Sequence, residues 1–242
     1  MPVSDYDKIA KFYDSVIGRS KDEIKFVQDK IYKYHKFAKS VLEIGCGTGS
    51  NLFILSKKYD VTGIDISKGM LKIATKKIPK GKFHLHDIRN FDLKEKFDVI
   101  LCLYDTINHL TLFNDWKKVF KRVSEHLNDN GLFIFDINTL YKLRCVAEIS
   151  PLIHKFSSNY LTMDVKKIST YKFNWNLKVF EKKRGNNFCL YESNIKESSF
   201  DLNKIANELS KLFLLKKAEE ETGKKINTNS ERVYFICQKI NI

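Results

Sequence analysis

The stretch Val41-Leu42-Glu43-Ile44-Gly45-Cys46-Gly47-Thr48-Gly49-Ser50 decides the reading of this chain. An apolar, β-branched run ends in three glycines spaced two apart, and a helical pattern follows at once. Glycines at a strand-to-helix turn let the backbone lie flat against a ligand. Sixteen residues past Gly49, a second short strand pattern, Val61-Thr62-Gly63-Ile64, ends in Asp65. A carboxylate at that place suits a ribose diol. Together the loop and the acid predict a site for a nucleoside cofactor. The glycines fall as G-x-G-x-G, not as the dinucleotide G-x-G-x-x-G, and Glu43 precedes them. A carboxylate beside the loop repels a pyrophosphate, so a cofactor without one is expected.

Leu42–Gly49 closely resembles motif I of the class I S-adenosylmethionine-dependent methyltransferases, in particular the small-molecule branch that includes the bacterial amino-sugar N-methyltransferases. Tyr6–Asp14 resembles the N-terminal cap of that family, Asp65 with Ser67 and Met70 its ribose and adenine motif, and His86–Arg89 its adenine-edge motif. Phe97–Asp105 followed by Asn108-His109-Leu110, and Gly131–Thr139, resemble the fourth and fifth strands with their exits. The resemblance covers roughly residues 5–144 and the terminal strand. It implies S-adenosyl-L-methionine as cofactor, contacted by Tyr13, Glu43, Gly45, Cys46, Gly47, Gly49, Asp65, Ile66, Met70, Asp87, Ile88, Leu103 and Tyr104. It implies a Rossmann-like seven-stranded mixed sheet in the order 3-2-1-4-5-7-6, flanked by helices.

Periodicity supplies the elements. Apolar residues at helical spacing predict helices over 5–17 and 21–40, with a break at Gly18. A βα alternation predicts strands near 40–45, 60–65, 82–86, 97–103 and 131–137, and helices near 49–57, 67–77, 113–126 and 139–147. Asn128-Asp129-Asn130-Gly131 reads as a turn into the fifth strand. Past Pro151 the pattern changes to short alternating blocks with a turn at Gly185, which predicts a small antiparallel β insertion. The expected division is a core of residues 1–150 and 196–242, with residues 151–195 as a cap over a substrate pocket. Two final apolar runs, 212–218 and 233–237, joined through Thr222–Lys225, predict an antiparallel pair that completes the sheet.

A net charge of +14 points to an anionic partner, yet only six of 43 basic residues are arginine. Bidentate readers of phosphate and base edges favour arginine, so a lysine-biased surface is the plainer reading and a nucleic-acid partner the lesser one. Five scattered cysteines without metal-ligand spacing predict reduced thiols, a cytoplasmic location and no metal. No apolar run is long enough for a membrane span. The chain reads as a monomer or homodimer.

Transfer of a methyl group from a sulfonium is an in-line displacement that depends mainly on positioning, with a base needed only where the acceptor arrives protonated. His109, just past the fourth strand, is the expected base, with Tyr13 as its companion; the competing reading makes His109 a structural histidine. Tyr104, Asp105, His109, Tyr141 and Arg144 are the expected substrate contacts. His84 and His86 read as structural. The expected activity is methylation of a soluble small molecule, with an amine nitrogen ahead of oxygen. Two rival readings stand beside it: an RNA or protein methyltransferase working through the lysine-rich face, and a non-catalytic regulatory protein that binds the cofactor.

Overall fold

Two strands that are apolar on both faces, β1 (Ser40–Ile44) and β4 (Phe97–Cys102), pair in parallel at the centre of a seven-stranded sheet. The computed structural model describes residues 5–16 and 21–240; the break expected at Gly18 lies outside them. β2 (Asp60–Asp65), β3 (Lys82–Leu85) and β5 (Leu127–Asn138) extend the parallel array. β11 (Arg232–Lys239) runs antiparallel to β5, and β10 (Phe213–Glu219) antiparallel to β11. The order is β3-β2-β1-β4-β5-β11-β10. Numbered within this sheet alone, that is the expected 3-2-1-4-5-7-6.

Alternation along these strands divides the core. Leu42, Ile100, Phe133 and Phe135 face α5 (Phe113–His126) and α7 (Leu202–Leu209), whose Trp116, Phe120, Ile205 and Leu209 are fully buried. Val41, Val99, Leu101 and Ile134 face the other way, onto α2 (Lys21–His35) and α3 (Ser50–Leu55). A parallel sheet covered on both faces requires this double apolar alternation. Helix α4 (Lys68–Lys77) follows β2, and Ser67 caps it by accepting the Met70 N–H.

Three boundaries differ from the sequence expectation. The first helix is instead a 3-10 turn, Asp5–Lys8, followed by α1 (Ala10–Val16). Asp7 accepts hydrogen bonds from Ser67 Oγ and Gly69 N, which tether that turn to the start of α4. Helix α2 ends at His35 rather than at residue 40, because the amides of Lys39 and Ser40 both donate to the Asp98 carboxylate. Asn128–Gly131 lies inside β5: Phe97 pairs with Leu127 and Val99 with Leu132, so the expected turn is a bulge with Asn130 at φ +61°.

β6 (Leu152–Phe156), β7 (Asn159–Lys167), β8 (Lys172–Lys182) and β9 (Phe188–Ser198) form a second, wholly antiparallel sheet. Leu161 and Val179 pack against Ile9 and Phe12 at the N-terminus. Val165 and Phe173 pack against Leu143 and Val146 of α6 (Leu140–Ile149). Among the described residues, no helix is long and apolar enough to cross a membrane.

Candidate cofactor and acceptor site

The loop after β1 has one shape open to it. Gly45 takes φ +72°, and a Cβ there would stand 2.3 Å from Thr106 Cγ2, so no larger residue fits without displacing the chain beyond β4. The Gly45 and Cys46 amides both donate to Ile64 O, which ties the loop to β2. Asp65 completes the unit: one carboxylate oxygen accepts the Gly47 N–H at 2.9 Å, the other the Ser67 N–H at 2.8 Å. Burial pushes the Asp65 carboxyl up, against the lowering effect of those two bonds.

A cavity of about 1010 Å³ opens on this loop. Of the expected cofactor contacts, Tyr13, Gly45, Gly47 and Asp65 line it, as do Ile66, Met70, Asp87, Ile88 and Tyr104. A recess of about 30 Å³ shares Tyr13, Gly45, Gly47, Tyr104 and Thr106 with the cavity, and Glu43, Cys46 and Leu103 form its remaining expected walls. Gly49 lines neither space; it stands before the first residue of α3 at φ +72°. Asp87 lies at the cavity wall in a bidentate pair with Arg89 Nε, at 2.9 and 3.0 Å. Burial alone would raise that carboxyl, but the Arg89 bonds outweigh it and hold it below its ordinary value.

Glu43 is the telling group. It is 2% exposed; Oε1 accepts from Asn51 Nδ2 at 2.7 Å, while Oε2 has no partner. Burial pushes its carboxyl up to about 8, against the Asn51 bond and with help from the charges of Glu23, Asp65 and Asp136. A buried carboxylate oxygen facing a recess calls for a cation or donor from a ligand. The site therefore fits S-adenosylmethionine on its own chemistry: an acid for a diol, a partnerless acid for an ammonium, and a turn whose three glycines all take positive φ.

Tyr13 is placed by salt-bridged scaffolding. Asp14, next to it on α1, accepts from Thr48 Oγ1 at 2.5 Å, Ser50 Oγ at 3.0 Å and Lys77 Nζ at 2.8 Å, which clamps α1 across the glycine loop. Burial raises the Tyr13 hydroxyl above its ordinary range.

His109 also lines the cavity, in the 3-10 turn Thr106–His109. Its Nε2 lies 3.1 Å from Tyr6 Oη, and the two rings meet edge to face at 5.5 Å. Burial lowers its basicity, with the Asp105 charge opposing, so the ring is held neutral near neutral pH. The turn hangs on two consecutive left-handed residues, Tyr104 at φ +55° and Asp105 at φ +50°. Non-glycine residues hold that conformation at a cost only where the surroundings enforce it. Here Asp105 N donates to Asp136 Oδ2 at 3.0 Å, and Arg232 bridges Asp105 Oδ1, at 2.6 Å, and Asp136.

The expected substrate contacts separate. Tyr104 and His109 face the cavity, whereas Asp105 lies behind it, engaged by Arg232. Tyr141 and Arg144 do not line the cavity; both are exposed on α6, because that helix turns Leu143 and Val146 toward the second sheet. Sequence reasoning did not single out Tyr6 or Thr106, nor the residues that the second sheet contributes to the wall, Asn174, Asn194, Ile195 and Lys196. Asn174 Nδ2 donates to Asn194 Oδ1 at 2.8 Å across that wall. Asp136, a lone acid inside the apolar run 132–137, was the available signal for a buried ion pair.

Comparisons with known proteins agree with the geometry. Residues 41–131 match the family model described as a methyltransferase domain. An S-adenosylmethionine-dependent methyltransferase from Clostridium acetobutylicum ATCC 824 superposes with a TM-score of 0.87 at 25% identity, covering 97% of this chain and 98% of that one. A dTDP-4-amino-2,3,4,6-tetradeoxy-D-glucose N,N-dimethyltransferase of Saccharopolyspora spinosa is 36% identical over 100 residues, 41% of this chain and 40% of that protein. A dTDP-3-amino-3,6-dideoxy-alpha-D-glucopyranose N,N-dimethyltransferase of Streptomyces fradiae is 30% identical over 141 residues, 56% of this chain and 55% of that protein. The chain spans about half the length of the curated relatives it matches. The fold is that of the S-adenosylmethionine-dependent methyltransferases, and S-adenosyl-L-methionine is the cofactor that the site fits. Within that class the chain is similar to the amino-sugar N-methyltransferases.

Proposed function

We propose that this protein methylates a soluble small molecule at an amine nitrogen, in the cytoplasm. The observation that carries this reading is the single cavity in which the Gly45–Gly47 loop, Asp65 and His109 meet residues of the second sheet. A wall of this kind favours a small acceptor over a polymer. Five free cysteines agree with a reducing compartment. We assign the core to residues 1–150 and 199–242 and the cap to 151–198, three residues past the expected end because β9 runs to Ser198.

Asp65 would hold the ribose hydroxyls, Glu43 the methionyl ammonium, and Ile66, Met70 and Ile88 the adenine face. The bound cofactor supplies an electrophilic methyl on a sulfonium. The chain's own part is to align an acceptor nitrogen and to take its proton. His109, neutral and hydrogen-bonded to Tyr6, is the proposed base, and Tyr13 and Tyr104 are the proposed aligning groups.

The Glu43 assignment has a proton signature. Its folded-state value of about 8 lies above its ordinary 4.5, so its contribution to stability is present in acid and lost as pH rises through about 8. An ammonium brought to Oε2 favours the ionised form instead. Binding of S-adenosylhomocysteine at pH 7 is therefore expected to release about one proton, read by calorimetry in buffers of different ionisation enthalpy. Glu43→Gln should abolish that release; equal release from both proteins contradicts the assignment.

The acceptor class is tested by incubating the protein with S-adenosylmethionine and a panel of small amines, RNA and protein, and reading methylated mass. Methylated amines support the proposal. Methylation confined to RNA or protein would move the activity to the lysine-rich surface, and no product in the presence of bound cofactor would point to a regulatory binding protein.

A further inference from the structure

Behind His109 lies a buried group that the cofactor does not explain. One imidazole nitrogen of His109, a carboxylate oxygen of Asp105 and one of Glu197 lie within 4.8 Å of one another. His109 Nε2 is taken by Tyr6 Oη, while Nδ1 is buried without a hydrogen-bond partner. Glu197 comes from the end of β9, in the second sheet, and is 5% exposed. Asn138 Nδ2 reaches its Oε2 at the long distance of 3.5 Å. Asp105 Oδ1 is engaged by Arg232 and His109 Nε2 by Tyr6. The group therefore reads as a proton network, not a cation cage.

The charges around it are uneven. His109 is faced by Tyr6 from the N-terminal turn, Asp105 from its own loop, and Glu197 with the Lys196 main chain from β9. Asp136 of β5 and Arg232 of β11 stand behind them. Three carboxyl groups thus share one guanidinium, and burial, with the Asp105 charge, raises the Glu197 carboxyl well above its ordinary value. Burying an excess negative charge is costly unless a positive one is formed nearby during function.

We propose that Glu197 is a positioning residue for methyl transfer: with Asp105 it faces the His109 imidazole and holds it as the final acceptor of the proton that the amine gives up through Tyr6. The inference rests on the amine reading above. In this step the acceptor's N–H proton passes to Tyr6 Oη as the Tyr6 O–H proton passes to His109 Nε2. Tyr6 ends neutral and His109 ends as imidazolium, one proton having moved with no change in electron count. Nδ1 carries its proton throughout, and the cation forms beside the Asp105 carboxylate and the Glu197 carboxyl. Because Glu197 belongs to β9, the base unit is complete only with the second sheet in place. Burial raises the Tyr6 hydroxyl, and the charges of Glu197 and Asp105 raise it further, which disfavours a resting phenolate and leaves Tyr6 a relay.

The test is an NMR titration of the His109 ring, assigned by its loss in His109→Gln, with S-adenosylhomocysteine bound. In the wild type, the ring shifts are expected to show two inflections, one from the imidazole and one from ionisation of the buried Glu197 carboxyl. In Glu197→Gln the second inflection disappears. A glutamate uncoupled from the imidazole would leave the His109 titration unchanged. A single wild-type inflection overturns the proposal even where the variant does not fold, as does identical titration in the two proteins. Failure of the wild type to bind S-adenosylhomocysteine is a different outcome, because it overturns the cofactor assignment and not the role of Glu197.

Discussion

Asp65→Ala is expected to weaken binding of S-adenosylhomocysteine by roughly 10²–10⁴-fold, because two charge-assisted hydrogen bonds of about 1.5–3 kcal/mol each are lost. The geometry leaves little room for rescue. The Gly47 and Ser67 amides fix the two carboxylate oxygens, so both remaining acceptor directions are set before a ligand arrives. Asp65→Asn keeps one acceptor oxygen and should lose less. The effect should fall on binding, not on folding. Burial raises the Asp65 carboxyl above its unfolded value, so its ionised form opposes folding once the pH exceeds that value, and removing it offsets part of the loss of two main-chain bonds. Calorimetry combined with thermal unfolding separates the two effects. Near-wild-type affinity in a folded Asp65→Ala protein would remove Asp65 from the site.

Arg232→Met is the substitution expected to cost most in stability. Its guanidinium bridges Asp105 and Asp136, and Asp136 is fully buried. Removing one partner of a buried ion pair costs about 3–5 kcal/mol, because the remaining charge stays uncompensated. The pH dependence has a definite sign. Even with Arg232 present, burial lifts the Asp136 carboxyl to about 7, and without the cation it rises further. A carboxyl raised above its unfolded value contributes stability in acid and loses it as pH rises through the folded value. The deficit of Arg232→Met should thus be greatest near pH 8 and shrink toward pH 5, read from urea unfolding at the two values. The strained Tyr104–Asp105 pair should relax with it and carry His109 away from Tyr6. A deficit independent of pH would mean that Asp136 does not titrate in this range.

What the sequence revealed was local. The glycine turn and Asp65 are legible because strand, turn and acid lie within 25 consecutive positions, Val41–Asp65, and their chemistry depends on that spacing. Helix α5 was legible because Trp116, Val119, Phe120 and Val123 recur at helical spacing on one buried face. The polar network around His109 was not, since it joins Tyr6, Asp105, Asp136, Glu197 and Arg232 from five separate segments. No period or motif encodes which distant acid meets which arginine. Tyr141 and Arg144 show the opposite hazard. Position along the chain suggested substrate contacts, but the apolar face of α6 decides their direction, and it turns them outward. The Asn128–Gly131 turn failed for a related reason: its residues suit a reversal, but pairing of Leu127 with Phe97 keeps the chain in the sheet.

The central claim is that this fold holds S-adenosylmethionine in the cavity beside Asp65 and Glu43. Titration calorimetry of the folded protein with S-adenosylhomocysteine and with NAD tests it most directly. Micromolar binding of S-adenosylhomocysteine and none of NAD is the predicted result; folded protein that binds no S-adenosylhomocysteine would contradict the account.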